Sequence, residues 1–290
     1  MTADRTDRKL VLQDGRSLAY SEYGAPGGQP VFYFHGHPGS RRDFPAFDPG
    51  DIARELGVRI IAADRPGYGL SDFQPGRRML DWPDDVCEPA DALQLDTFAV
   101  LGISGGGPYA AACAYKIPQR LTATAIVCGM GPSEAPGVAD GTAWKFAAGR
   151  GKFMRTIVLS LMSLGLRKKP EAFPPKMADA LHGPDKALLL AIPSLADDIT
   201  HLSFAEAFRD GMAGVHHEAG LYADDWGFRL ADISAEVHLW HGVEDENVPV
   251  SVGRFVAAAL PNCRADFLED EGHLTLPYNE MRTFLKVLSR

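Results

Sequence analysis

Residues 97–112 read TFAVLGISGGGPYAAA. The first part, Phe98 to Ile103, is an apolar run with β-branched and aromatic residues, which favours a strand. It passes directly into Ser104-Gly105-Gly106-Gly107 and then into an alanine-rich segment of high helix propensity. The stretch therefore reads as strand, sharp turn, helix. Gly102, Ser104 and Gly106 fit G-x-S-x-G, in which a serine on a strained turn holds its hydroxyl above the sheet. Glycine suits both flanking positions because a side chain there would collide across the turn. The string alone is a weak signal, since a glycine-rich turn whose serine caps the next helix has the same letters. Gly105, Gly107 and Ala110 also match the dinucleotide pattern G-x-G-x-x-A. That pattern needs an acidic residue after a second strand, and Thr122 to Met130 contains none.

Outward from this stretch, strands and helices alternate. Lys9 to Gln13 and Ser17 to Tyr23 flank Asp14-Gly15 and predict an opening hairpin. Strands are expected at Pro30 to Phe34 and Val58 to Ala63, with a helix over Phe44 to Leu56 between them. A helix at Asp84 to Leu95 precedes the elbow strand, and a strand at Thr122 to Cys128 follows the elbow helix. After Met130 no strand signal appears for about a hundred residues. The apolar positions there, Met154, Ile157, Val158, Leu161 and Met162, then Phe204, Phe208 and Met212, predict helices. Sheet rhythm returns at Glu236 to Trp240, followed by a helix at Val250 to Leu260, a strand at Ala265 to Leu268 and a helix at Pro277 to Leu288. The expected fold class is α/β, a mostly parallel, doubly wound sheet covered on both faces. Its core comprises residues 1–130 and 233–290, with residues 131–232 inserted as a helical cap.

Composition narrows the function. A net charge of -9 argues against binding nucleic acid through its phosphates. Cys87, Cys113, Cys128 and Cys263 are scattered without a C-x-x-C pair, which reads as buried thiols in a reducing compartment. The amino terminus, MTADRTDRKL, has no apolar stretch of the secretory kind, so a cytoplasmic location is expected. The most apolar window, Thr156 to Leu166, would span about 16 Å as a helix against a hydrocarbon core of roughly 30 Å. No membrane span is expected. The basic Arg167-Lys168-Lys169 beside it reads as a solvated helix end.

A serine hydroxyl needs a base, and the base needs an orienting group. Asp245 follows the strand ending near Trp240, and His273 follows the strand ending at Leu268. Both would emerge at the carboxyl edge of the sheet, as Ser104 does, where ligands bind in such folds. The order Ser104, Asp245, His273 is that of the α/β-hydrolase triad. The chain resembles that superfamily over nearly its whole length, through HGHPG at 35–39, DRPGYGLS at 64–71, GISGGG at 102–107, HGVEDENVP at 241–249 and EGH at 271–273.

The resemblance implies a serine hydrolase with Ser104 as nucleophile, His273 as general base and acid, and Asp245 as its partner. Glu134 is the alternative acid. The HG-x-P loop implies an oxyanion hole from the backbone N–H groups of His37 and Gly105. The expected activity is cleavage of a carboxylic ester or related acyl bond of a small, fairly apolar substrate, without cofactor, falling as pH drops below about 6.5. An aminopeptidase of the proline iminopeptidase type and a C–C bond hydrolase are the alternatives. A ligand receptor on the same fold is the non-enzyme alternative. Epoxide and haloalkane relatives carry aspartate where this chain has Ser104. His35 reads as a structural residue, and the Asp64 to Ser71 loop as architecture. Trp144, Phe146, Phe153, Trp226 and Phe228 are candidates to line an acyl pocket. No metal site is expected: the consecutive His216, His217 and Glu218 would diverge by about 100° on a helix, and His238 and His241 face opposite sides of a strand.

Overall fold

The computed structural model describes residues 6–146 and 151–290. The chain opens with a hairpin: β1 (Arg8–Val11) pairs antiparallel with β2 (Ser17–Gly24), and β2 pairs antiparallel with β4. Beyond it β3 (Gln29–Phe34), β4 (Val58–Ala63), β5 (Phe98–Ile103), β6 (Leu121–Val127), β7 (Val237–Gly242) and β8 (Cys263–Leu268) run parallel. The eight-stranded sheet has the order β1-β2-β4-β3-β5-β6-β7-β8. Every residue of β5 is buried, as its unbroken apolar run requires of a strand covered on both faces.

In chain order the helices of the core are α1 (Ile52–Glu55), α2 (Trp82–Ala92) and α3 (Gly107–Lys116). Between β6 and β7 come α4 (Thr142–Phe146), α5 (Lys152–Lys168), α6 (Phe173–Ala180), α7 (Gly183–Ala191), α8 (Pro193–Asp198) and α9 (Ala213–Leu221). The chain closes with α10 (Val250–Ala259) and α11 (Thr275–Leu288). One core layer joins the sheet to Trp82 and Val86 of α2, Ala110 to Ala114 of α3 and Val252 of α10. The opposite layer is formed by Ile52 and Ala53 of α1 and Met281, Phe284 and Leu288 of α11. Small side chains on α3 let that helix lie close to β5 and β6.

Two expectations need correction. The helix expected over Phe44 to Leu56 is a 3-10 turn, Phe44–Phe47, and the single turn α1. Gly50 and Asp51 separate them, both at positive φ (83° and 60°), which no continuous helix permits. On α5 the expected apolar face is split: Met154 is 49 %, Ile157 38 % and Leu161 65 % exposed, whereas Val158 and Met162 are half-buried and Met162 packs on the inner cluster. The inward face is Arg155, Leu159, Ser163 and Leu166, with Leu159 and Leu166 packed against Phe208 and Val215. Two polar residues in the buried row hid its periodicity. Lys168 and Lys169 are exposed at the end of α5; the side chains of Arg167 and Phe146 lie outside the described residues, as does the start of the amino-terminal segment read above. Among the described residues no single helix is long and apolar enough to cross a membrane.

Candidate active site

The strand order steps from β3 out to β4 and back to β5, so the chain changes direction between β3 and β5. Such a switch point opens a crevice at the carboxyl ends of the strands. The register pairs Phe34 with Gly102, which sets the His35–Gly39 loop beside the turn carrying Ser104. Ser104 has φ +54°, a left-handed conformation costing an L-residue roughly 1–2 kcal/mol. Packing around the elbow maintains it. A Cβ on Gly102 would lie 2.3 Å from the Gly106 carbonyl oxygen, and one on Gly106 would lie 2.1 Å from that of Phe34.

The loops after β7 and β8 bring Asp245 and His273 to this point. The Ser104 hydroxyl donates to His273 Nε2 at 2.9 Å, and His273 Nδ1–H donates to Asp245 Oδ2 at 2.8 Å. The network assigns this tautomer. Asp245 Oδ1 accepts the Asn247 and Val248 N–H groups at 2.9 and 2.8 Å. All three side chains are buried. Burial alone would raise the Asp245 carboxyl, but the charge and hydrogen bond of His273 hold it below the ordinary value. Burial likewise works against protonated His273, yet the Asp245 charge and hydrogen bond, with Asp185 behind them, raise its imidazole above 6.5. Glu134 is exposed and takes no part in this relay.

Gly105 and His37 meet across the elbow: a Cβ on Gly105 would lie 2.8 Å from His37 Cβ and 3.1 Å from His37 N. Gly105 lies in the 3-10 turn Ser104–Gly106 that leads into α3, and the first N–H groups of such a start have no partner within the helix. His35 is architectural: its Nδ1–H donates to the Gly36 carbonyl at 2.8 Å and its Nε2 accepts the Arg65 N–H at 3.3 Å. Asp64 Oδ1 accepts the Arg41 N–H at 2.7 Å and Oδ2 the Leu70 N–H at 3.0 Å.

Beneath the His35–Gly39 loop lies a charged network absent from the sequence reading. Glu218, on α9, is wholly buried. It accepts Arg65 Nε and Nη2 at 2.8 and 2.7 Å, Arg77 Nη2 at 2.6 Å, and the hydroxyls of Tyr68 and Tyr109 at 3.0 Å. Tyr222 Oη stands 2.7 Å from Glu218 Oε1 and 3.0 Å from the Gly105 carbonyl. Burial opposes its charge, but Arg65 above all keeps its carboxyl well below the usual range. His37 Nδ1 lies 2.7 Å from Tyr68 Oη and 3.4 Å from Glu218, and burial pushes its imidazole below 6.5. The neighbouring histidines diverge, His216 toward Thr156 and His217 toward the Arg77 carbonyl.

A cavity of about 260 Å³ opens in front of Ser104, His37 and His273. Its apolar lining is Phe47, Ile103, Met177, Leu181, Ile199 and Phe204 among others. Four of the five aromatic residues singled out from the sequence are elsewhere, the side chain of the fifth, Phe146, lying outside the described residues. Trp144, Trp226 and Phe228 pack on the core layer of α2, α3 and α10, Phe228 stacking on Tyr115 at 5.2 Å, and Phe153 is 78 % exposed. A second residue missed in the sequence is Asp185 of α7. Its carboxylate accepts the backbone N–H groups of His273, Leu274 and Thr275 at 2.8, 2.9 and 3.0 Å. Cys128, Asp245 and His273 present ligand-capable atoms within 4.8 Å of one another, but Asp245 and His273 are already bonded to each other.

A mostly parallel sheet with a serine on the β5 elbow, and an aspartate and a histidine after β7 and β8, is the architecture of an α/β hydrolase. A family model for the alpha/beta hydrolase fold matches residues 29–280, and the chain belongs to that family. It is 34% identical over 126 residues to a non-heme chloroperoxidase of Streptomyces lividans, a match covering 42% of this chain and 45% of that protein. Over 282 residues it is 25% identical to a 2-hydroxy-6-oxononadienedioate/2-hydroxy-6-oxononatrienedioate hydrolase of Cupriavidus pinatubonensis, covering 94% and 91% of the two chains. The chain spans less than half the length of several curated relatives it matches. Among solved structures, a thermophilic esterase from Thermogutta terrifontis superposes with a TM-score of 0.70 at 21% identity, over 98% of this chain and 100% of that one.

Proposed function

We propose that the chain is a serine hydrolase that cleaves a carboxylic ester of a small, fairly apolar substrate through an acyl-enzyme. The observation carrying this reading is the hydrogen-bonded run from Ser104 through His273 to Asp245, 2.9 and 2.8 Å, opening on a cavity. In the scheme His273 Nε2 takes the Ser104 proton as Oγ bonds to the ester carbonyl carbon. The negative oxygen rests on the N–H groups of His37 and Gly105. The C–O bond then breaks, and the alcohol departs with the proton returned by His273. A water molecule gives a proton to His273, attacks the acyl carbon and releases the acid, restoring Ser104–H. No cofactor enters. Residues 131–232 serve as the cap over the cavity.

Among the described residues the cavity is lined by Asp43, Asp185, Glu244 and Glu246 and by no lysine or arginine. Such a lining opposes a dicarboxylate, the substrate type in the name of the Cupriavidus relative, and this favours ester over C–C hydrolysis. The same carboxylates suit an aminoacyl substrate, which makes the aminopeptidase the second reading. The test is labelling with a serine-directed phosphonate and location of the adduct by mass spectrometry, followed by rates on esters of graded chain length and on aminoacyl amides. An adduct on Ser104 with rapid ester turnover is expected. Folded protein without that adduct, or undiminished hydrolysis by Ser104→Ala, defeats the proposal. Tight retention of ligand with negligible turnover identifies a receptor instead.

A further inference from the structure

The cavity runs from an exposed mouth to a buried end. At the mouth the side chains of His182 and Glu246 are 70% and 62% exposed; at the buried end stand Tyr33, Asp43, Phe47 and Ser203. Asp43 is the group the scheme above leaves without a task. It is 3 % exposed, and its Oδ2 accepts the Ser203 hydroxyl at 3.1 Å and the Ser40 N–H at 3.3 Å. Its Oδ1 is buried without a hydrogen bond of regular geometry, and so is the Tyr33 hydroxyl next to it. His37 Nε2, also on the cavity wall, has no partner either. With His37 Nδ1 directed at Tyr68 and Glu218, Nε2 presents a lone pair. Unsatisfied buried acceptors are rare in folded proteins and are a standing penalty unless something donates to them.

We propose that the buried end of the cavity is a subsite for a hydrogen-bond donor, a hydroxyl or an ammonium group, at the far end of the substrate's acyl chain, with Asp43 as its acceptor. The inference rests on the ester-hydrolase reading for which arm of the substrate lies there. The alcohol leaves first and must pass out through the mouth, whereas the acyl chain stays bonded to Ser104 until water arrives. Apolar walls from Phe47, Ile199 and Phe204 suit the methylenes between the carbonyl and the tip. Burial pushes the Asp43 carboxyl up to about 7, against the pull of Tyr33, Ser40 and Ser203, so a donor on Oδ1 supplies the stabilisation that the ionised form lacks. A carboxylate tip would meet Asp43 with no lysine or arginine on the described lining to compensate.

The experiment compares p-nitrophenyl esters of hexanoate, 6-hydroxyhexanoate, 6-aminohexanoate and the half-ester of adipate. Wild-type kcat/KM for the hydroxyl- or ammonium-tipped chain is expected to exceed that for hexanoate by about tenfold, one charge-assisted hydrogen bond, with the adipate half-ester slowest. Comparison of the hydroxyl and ammonium arms identifies the donor. In Asp43→Asn the ammonium-to-hexanoate ratio is expected to fall toward one; Tyr33→Phe, a smaller change that keeps the fold if the first variant fails, is expected to reduce the ratio in part. Binding of the same esters to Ser104→Ala by calorimetry reads the preference without turnover. Plain hexanoate equal to or better than both donor-tipped chains overturns the subsite, whatever the variants do. If no ester is cleaved while Ser104→Ala still binds the donor-tipped chains more tightly, the subsite stands and the ester-hydrolase reading falls.

Discussion

Asp185 offers the sharpest test of how the helices between β6 and β7 act on the site. Its carboxylate caps the start of α11 by accepting the N–H groups of His273, Leu274 and Thr275 at 2.8, 2.9 and 3.0 Å. Those of Leu274 and Thr275 are donors a helix start leaves without internal partners, and His273 lies just before the cap. The N–H groups of the buried residues His273 and Thr275 lose their acceptor in Asp185→Ala, at about 1–3 kcal/mol each, or about 2–6 kcal/mol of stability in all. Thermal unfolding should then occur about 5–10 °C lower, since 1 kcal/mol shifts Tm by roughly 2 °C or more in a chain of this size. Freed from its anchor, the loop allows the imidazole to drift from Ser104, and misplacement by about 1 Å costs roughly 10²-fold in rate. Asp185→Asn keeps one acceptor oxygen for Leu274 and Thr275 but turns an amino group toward the His273 N–H, so an intermediate loss is expected. Because Asp185 also helps to raise the His273 imidazole, its removal should move the acid limb of kcat/KM to lower pH. The assays are calorimetry and ester hydrolysis from pH 5 to 9. A lowered Tm with kcat/KM within twofold of wild type and an unmoved acid limb would show that Asp185 only ties α7 to the core.

In the intact protein the acid limb of kcat/KM should have its midpoint above 6.5, because the Asp245 charge raises the His273 pKa and only neutral imidazole can take the Ser104 proton. The sequence alone had set that limb at the ordinary value; a measured midpoint at or below 6.5 contradicts the coupling. Glu218 governs stability with the opposite sign. Its folded-state pKa is depressed, so its contribution is complete above the unfolded value near 4.5 and declines only as pH falls below it. Glu218→Gln leaves Arg65 and Arg77 buried without their counter-charge and is expected to cost about 3–5 kcal/mol at pH 7. Urea unfolding between pH 4 and 8 checks this, and equal stability of variant and wild type sinks the account.

The sequence carried the sheet because its central parallel strands, β3 to β5, are short apolar runs closed by turn signals. It carried the placement of Ser104, Asp245 and His273 because each lies within a few residues after a strand end, and strand ends converge in a parallel sheet. The helices between β6 and β7 were legible only as helices. Their inward faces answer to tertiary partners, and the buried row of α5 includes Arg155 and Ser163, so hydrophobic periodicity alone did not locate it. Glu218 illustrates a deeper limit. Beside His216 and His217 it was weighed only as a metal ligand, and helix geometry argued against that. Nothing local showed that Arg65 and Arg77, more than a hundred residues earlier, would enclose it. A buried carboxylate announces itself only through its partners, and those partners are brought together by topology. Asp43 and Asp185 were missed for the same reason.

These missed residues change what the inserted helices are for. Were they a cover alone, their contacts with the core would be apolar and interchangeable. Instead two charged side chains reach down from them to opposite halves of the catalytic arrangement. Glu218 of α9 binds Arg65, whose Nη1 and Nη2 donate to the His35 and Gly36 carbonyls at 2.6 and 2.9 Å; through Tyr222 it also reaches the Gly105 carbonyl. The backbone next to the His37 and Gly105 N–H groups, the proposed oxyanion donors, is thus tied to α9. Asp185 of α7 holds the backbone of His273. The distance between the base and the oxyanion donors therefore depends on how α7 and α9 are packed against each other and on the sheet. Charge-assisted bonds of fixed geometry transmit that dependence with less slack than apolar contacts would. In the proposed mechanism, any repacking of α7 or α9 would therefore act on nucleophile activation and oxyanion binding together.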